Sequence, residues 1–245
     1  MTVFALYNLK GGVGKTASAI NLAYLAAADG YKTLVWDLDP QGSSSFYLNV
    51  KAANKNETKK LFAEELELKD AIQGSVFENL WIIPADISAR NIDALLSDVK
   101  HSKRKLRSLL GNLKGFDIVI LDCPPGISLL HENIFNAADR VLMPNIPTTL
   151  SVNSFETVLE YFENNELDKS RLKCFFSMVD HRKNLHHEVM QQFYKHKLFF
   201  KNYIPYLSDI EKMGVYQQPL FEYANSSYAA QCFRDLWAEI KKVCL

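Results

Sequence analysis

The chain has 245 residues and 48% are hydrophobic, which is enough for a sizeable core and argues against disorder. Lys and Arg total 28, as do Asp and Glu, so the formal net charge is zero; a dedicated nucleic-acid binder is basic overall, and any such contact here falls to a local patch or an oligomer. The four cysteines, Cys123, Cys174, Cys232 and Cys244, show no CxxC pair and no metal-ligand spacing, and read as reduced thiols.

The start, MTVFALYNL, has no basic leader and no long apolar stretch, so no cleaved signal is expected. No run approaches the ~18 apolar residues of a membrane span, and a soluble, cytoplasmic protein is expected. Val3 to Tyr7 predicts a buried strand, followed by a glycine loop and an alanine-rich helix over 15–29 that Gly30 ends. Thr33 to Trp36 predicts a second strand closing on Asp37 and Asp39. Residues 41–60 are polar and read as a loop; 61–72 read as a helix and 80–83 as a strand. One or two helices are expected within 88–114, which carries the basic run HSKRKLR at 101–107. FDIVILD at 116–122 is nearly continuous in apolar residues, as a strand buried on both faces of a parallel sheet is. Further helices are predicted over 129–138, 151–165, 184–196 and 227–243, and strands over 140–146, 172–179 and 198–205. This alternation predicts an α/β fold: one doubly wound, mainly parallel sheet with helices on both faces, as a single domain over 1–245.

Lys10-Gly11-Gly12-Val13-Gly14-Lys15-Thr16 lies between the first strand and the first helix. Glycines let successive N–H groups curl inward toward phosphate oxygens, and the helix adds its positive N-terminal end. Lys15 is placed for the β- and γ-phosphates and Thr16 for Mg²⁺. The general pattern G-x-x-x-x-G-K-[ST] fails, because Leu9 stands where its first glycine would be, and a lysine opens the loop instead. This variant resembles the deviant Walker A loop, KGGxGK[ST], of the ParA/MinD family of P-loop ATPases. The resemblance implies that Lys10 crosses a dimer interface to the partner's nucleotide, and that residues 10–16 with Ala17 hold ATP.

Asp37-Leu38-Asp39-Pro40-Gln41-Gly42 resembles the family's first switch, DxDPQG. By that resemblance Asp39 orients the attacking water near the metal, and Asp37 is a second acid. FDIVILDCPPG resembles the Walker B strand and second switch, with Asp122 holding Mg²⁺ through water. Cys123 is usual in that context. The guanine-reading NKxD motif is absent, since Asn54-Lys55-Asn56-Glu57 ends wrongly. Resemblance implies ATP, with Phe176-Ser177-Met178 and Ile204-Pro205-Tyr206 flanking the adenine, Met178 and Pro205 above all; a plain core-strand reading of both stretches stays open.

The resemblance covers nearly the whole chain and follows the partition ATPases in order and spacing. It implies an ATP-dependent homodimer, a slow hydrolysis stimulated by an adaptor or centromere-binding-type protein, and non-specific DNA contact with nucleoid association. The DNA candidates are Arg182, Lys183, Lys195, Lys197 and Lys201. Asp209 stands where partition members carry an arginine, which weakens that reading. The run Lys103, Arg104, Lys105 and Arg107 is a second candidate patch, against a solvated helix face. A protein-cargo positioning relative and a MinD-like membrane switch are the alternatives. In the last helix Tyr228, Phe233, Leu236, Trp237 and Ile240 have core spacing, which disfavours the membrane. An iron–sulfur role lacks the ligand set.

Overall fold

The computed structural model describes residues 1–52, 54–97 and 102–245. Seven strands form one sheet: β1 (Thr2–Leu6), β2 (Thr33–Asp37), β3 (Gln73–Gly74), β4 (Leu80–Ile83), β5 (Ile118–Asp122), β6 (Arg140–Asn145) and β7 (Leu172–Phe176). Their order is β3-β4-β2-β5-β1-β6-β7, and every pairing is parallel except β3 with β4. All five residues of β5 are buried, as its unbroken apolar run requires.

Side chains alternate between two cores, one on each face of the sheet. Val3, Ala5 and Tyr7 of the first strand region, with Val119 and Leu121, join Trp36, Phe62, Phe135 and Phe162 on one side. Phe4, Leu6, Ile118 and Ile120 face Ile20, Leu22, Phe233, Leu236 and Ile240 on the other. This period of two is what a strand imposes on its neighbours. The first helix, α1 (Lys15–Ala28), buries Ala19, Ala23, Ala26 and Ala27, whose small side chains let it lie close on the sheet. Its end is closed by Gly30 at φ 90°, with Gly30 N–H donating to Ala27 O and Tyr31 N–H to Ala26 O.

The polar stretch 41–60 is not only loop. It contains α2 (Ser43–Tyr47) and α3 (Glu57–Phe62), the latter opened by Asp86, whose carboxylate accepts Thr58 N–H at 2.6 Å. The single helix expected over 61–72 breaks at Glu64, which sits at φ 61°, and resumes only as a short turn, Leu68–Ala71. Within 88–114, α4 (Ile92–Ser97) and α5 (Lys105–Gly111) are separate; His101 of the basic run lies outside the described residues. Then come α6 (Leu129–Ala137), α7 (Thr149–Asn164) and α8 (Asn184–Phe193). The strand expected over 198–205 does not form. Phe200 N–H reaches Cys174 O at 2.7 Å, but the next two amides, Lys201 and Asn202, turn to the Glu239 carboxylate at 2.9 and 3.0 Å, leaving isolated bridges at Phe199 and Pro205. Short helices α9 (Ser208–Glu211) and α10 (Met213–Tyr216) precede α11 (Tyr228–Cys244). On α11, Phe233, Leu236, Trp237 and Ile240 are buried in the second core, whereas Tyr228 is exposed, contrary to its expected place in the packed face. Among the described residues no helix is long and apolar enough to cross a membrane.

Candidate nucleotide site

The parallel register brings the ends of three central strands together: Leu6 lies opposite Asp122, and Asp122 opposite Asp37. Carboxyl ends of parallel strands open onto the crevice where such sheets bind ligands. The loop from Lys10 to Gly14 leaves β1 at this edge. Gly12 and Gly14 adopt φ 72° and 87°, in the left-handed region that favours glycine. A Cβ on Gly14 would stand 2.8 Å from Ser177 Oγ, so the loop passes hard against the end of β7. The Asn8 carboxamide fixes the loop's start. Its oxygen accepts Lys10 N–H at 2.9 Å, and its NH₂ donates to Pro144 O at 2.7 Å and Asn145 Oδ1 at 3.2 Å.

The two lysines point differently. Lys15, buried, folds its ammonium back to donate to Lys10 O at 2.9 Å. Burial holds its pKa below the ordinary lysine value, opposed by the nearby Asp122. Lys10 stretches away from its own loop and donates to Leu150 O at 2.7 Å, on the first turn of α7, where Leu150 itself is exposed.

The acids are held from behind by serines. Asp37 Oδ2 accepts Ser45 N–H at 3.0 Å and Ser45 O–H at 2.9 Å; Asp122 Oδ2 accepts Ser44 O–H at 2.8 Å. The Thr16 hydroxyl lies close enough to Asp122 to favour its charged form. Burial, then the charge of Asp122, pushes the Asp37 carboxyl up to about 7. Burial raises Asp122 to about 6 against the pull of Ser44, Thr16 and Lys15. Asp39 is half-buried at the rim, its carboxylate accepting Gln41 N–H at 3.0 Å. Cys123 is fully buried and its thiol is raised well above the ordinary range, so it has no thiolate to offer.

The donor set suits a hard cation. Among the described residues Asp122 Oδ1 is buried without a hydrogen-bond partner, while the Ser44 hydroxyl bonds to the other oxygen of the same carboxylate. Among the described residues no group of three or more His, Cys, Asp and Glu forms a closed cage. Mg²⁺ takes one or two protein oxygens and fills its octahedron with water and phosphate, so this sparse set fits it.

The sequence does not single out Ser44, Ser45 or Asn8, and it offers Ser177 only within the stretch expected to flank the adenine. The serine run directly after Gly42 was the available signal, since short hydroxyl side chains there can reach both acids. The stretches around Met178 and Pro205 do come together: Val179 bridges Pro205, its N–H donating to Ile204 O at 3.1 Å, and Tyr206 N–H returns to Val179 O at 2.9 Å. Met178 is half-buried at φ 54° and Pro205 is buried. Ala17, half-buried, packs toward the second core.

The basic candidates lie around α8. Lys183, Lys195, Lys197 and Lys201 are exposed, but Arg182 is clasped by Asp180 through two bonds of 2.9 Å. In the other patch, Lys103 is exposed and pairs with Glu132 at 3.0 Å, whereas Lys105 is largely buried and pairs with Glu64 at 2.5 Å. Asp209 pairs with Lys212 at 3.3 Å.

A mostly parallel seven-stranded sheet with its glycine loop between β1 and α1 is the fold of P-loop nucleoside triphosphatases. A family model described as an AAA domain matches residues 1–174. The chain is similar to the chromosome-partitioning ATPase Soj of Treponema pallidum, 33% identical over 235 residues that cover 92% of this chain and 89% of that one. It is also similar to the sporulation initiation inhibitor protein Soj of Bacillus subtilis, 27% identical over 250 residues, 97% of each chain. Its fold matches that of a plasmid partition protein from Borrelia burgdorferi crystallised with AMPPNP, with a TM-score of 0.83, 19% identity and 98% of each chain covered. The chain belongs to the ParA/MinD family of P-loop ATPases.

Proposed function

We propose that this protein, as one domain, is a partition- or positioning-type ATPase that switches between an ATP-bound dimer and a nucleotide-free or ADP-bound monomer. The observation that carries the reading is the divergence of the two loop lysines. Lys15 lies within its own loop, while Lys10 extends across the rim to Leu150, where a second subunit can take it up.

In this reading residues 11–17 donate main-chain N–H groups to the phosphates and Lys15 swings from Lys10 O to the β- and γ-oxygens. Mg²⁺, when bound, neutralises charge developing on the transferred phosphoryl group. Thr16 and Asp122 hold it, with Asp39 nearby. Asp39 also orients the attacking water, and Lys10 of each subunit adds positive charge at its partner's site. Ser44 and Ser45 keep both buried acids aimed at the crevice while α2 responds to the γ-phosphate. Met178 and Pro205 flank the adenine.

The dimer is proposed to ride on nucleoid DNA through Lys183, Lys195, Lys197 and Lys201 of both subunits. An adaptor of the centromere-binding type then triggers hydrolysis. One observation favours a second reading, a protein-cargo positioner with little direct DNA affinity: Arg182 is already neutralised by Asp180, and Asp209 adds a further negative group. A membrane switch has less support, because the apolar face of α11 is spent in the core.

Mobility-shift measurements on non-specific duplex DNA, with ATP, with ADP and without nucleotide, separate these readings. The DNA-riding dimer shifts DNA only with ATP and loses affinity steeply between low and physiological salt. Binding that ignores nucleotide contradicts it, and a chain that dimerises with ATP yet leaves DNA unshifted is the cargo positioner.

A further inference from the structure

At the opposite end of the sheet from the glycine loop, a hollow opens between the start of β6, the start of β7 and the ends of α5 and α6. Three arginines line it, Arg107, Arg140 and Arg171, together with Asp139, Asp168 and Gly111. Among the described residues none of the three guanidiniums has a carboxylate within 4.0 Å. The two aspartates offset part of that charge while making hydrogen bonds of their own: Asp139 accepts Val3 N–H at 2.8 Å, and Asp168 accepts Ser170 N–H and O–H, each at 2.8 Å.

A structural role accounts for only one of the arginines. Arg171 donates to the carbonyls of Phe135 and Ala138 and so closes the C-terminal end of α6. Arg107 is exposed on α5. Arg140 donates to Asp139 O at 2.9 Å and lies beside the Cys244 thiol, but among the described residues its Nε is buried with no partner. A donor buried without a partner on a permanently charged group is costly, and the side chain gains if it turns toward an acceptor in the hollow. The three charges sense one another: burial and the neighbouring Arg107 and Arg140 lower Arg171, against the pull of Asp139 and Asp168.

We propose that this hollow is a second anion site, remote from the glycine loop, which binds the phosphate group of a small molecule through Arg107 and Arg140, with Arg171 as a fixed positive wall. A DNA backbone needs a row of exposed cations, and here only Arg107 stands out from the surface. Inorganic phosphate and a phosphate monoester share the chemistry that the guanidiniums recognise.

The test uses the full chain, labelled with ¹⁵N. Inorganic phosphate and, separately, ribose 5-phosphate are titrated at constant ionic strength while the amides of Gly111, Asn136 and Ala138 are followed. Saturable shifts at these amides are expected. Saturation with both ligands marks a site for phosphate itself, and saturation with ribose 5-phosphate alone marks a site for its esters. Arg107→Ala, on an exposed position that leaves the fold intact, weakens binding at least about threefold, and Arg107→Ala with Arg140→Ala at least about tenfold. Phosphate entering the glycine loop is read separately at Gly11, Gly12 and Gly14, and Lys15→Ala removes those shifts alone. Shifts that stay linear with concentration mean an adventitious ion only and overturn the proposal. So do affinities unchanged in both variants, or amides that respond only to duplex DNA.

Discussion

The ammonium of Lys15 donates to the main-chain oxygen of Lys10 at 2.9 Å, so the residue that opens the loop holds the residue that closes it. Without nucleotide, this bond partly satisfies a desolvated charge. Replacing Lys15 by Ala removes the phosphate-facing cation and leaves the carbonyl at a half-exposed position. Affinity for a fluorescent ATP analogue is expected to fall at least about tenfold, the effect of losing one or two charge-assisted hydrogen bonds of about 1.5–3 kcal/mol each. Thermal stability without nucleotide changes little.

Lys10→Ala separates binding from assembly. Among the described residues its ammonium hydrogen-bonds to Leu150 O and not to its own loop, so ATP binding to the monomer is expected to stay within about threefold of the parent, a difference below 1 kcal/mol. Sedimentation with ATP and Mg²⁺ is expected to show a monomer where the parent dimerises. A variant that still dimerises and hydrolyses removes Lys10 from the partner's site.

Gly14→Ala tests the packing of the loop against β7. The new methyl group meets Ser177 Oγ at 2.8 Å and forces an alanine to φ 87°, which together are expected to cost about 2–3 kcal/mol in urea unfolding. Pairing it with Ser177→Ala relieves the collision but not the backbone strain. The double variant should therefore recover only part of the loss, and full recovery means that the strain is negligible.

The raised acids set a pH dependence. In the unfolded chain Asp37 and Asp122 titrate near the ordinary carboxylate value, about 3.9; in the fold they rise to about 7 and about 6. Between these values the native state holds more protons than the unfolded one, so stability falls as pH rises. The melting temperature of the nucleotide-free protein is expected to drop from pH 5 to pH 8. Asp37→Asn flattens most of that slope, because its neutral amide no longer titrates. A melting temperature that rises over this interval contradicts the assignment.

Phe233→Ala distinguishes a core helix from a surface one. The ring is fully buried, and deleting it is expected to destabilise by about 3–5 kcal/mol. A loss under about 1 kcal/mol, or co-sedimentation of the parent with liposomes, reopens the membrane reading of α11.

The sequence disclosed most where one physical cause acts alone. The four apolar residues of β5 ahead of Asp122 read as a buried strand, and the glycines of the loop allow the positive φ that Gly12 and Gly14 adopt. It disclosed least where distant groups decide. Lys201 and Asn202 look like strand residues until Glu239, on the last helix, takes their amides. The polar stretch after Gly42 looked like loop because its helical turns are fixed by acids on other segments, Asp37 for Ser45 and Asp86 for Thr58. Tyr228 has the spacing of a core residue but is exposed at the helix's first turn, where Ala229 and Ala230 take the buried positions.

The register that sets Asp37 beside Asp122 has a consequence for energetics. Two carboxyls that share one dry corner hold their protons to a higher pH than ordinary carboxylates, and a divalent cation binding there would displace them. Loading the site would then be an exchange of H⁺ for Mg²⁺. Apparent affinity for the magnesium–nucleotide complex would strengthen as the surroundings turn alkaline, and the measured heat of binding would vary with the ionisation enthalpy of the buffer that collects the released protons.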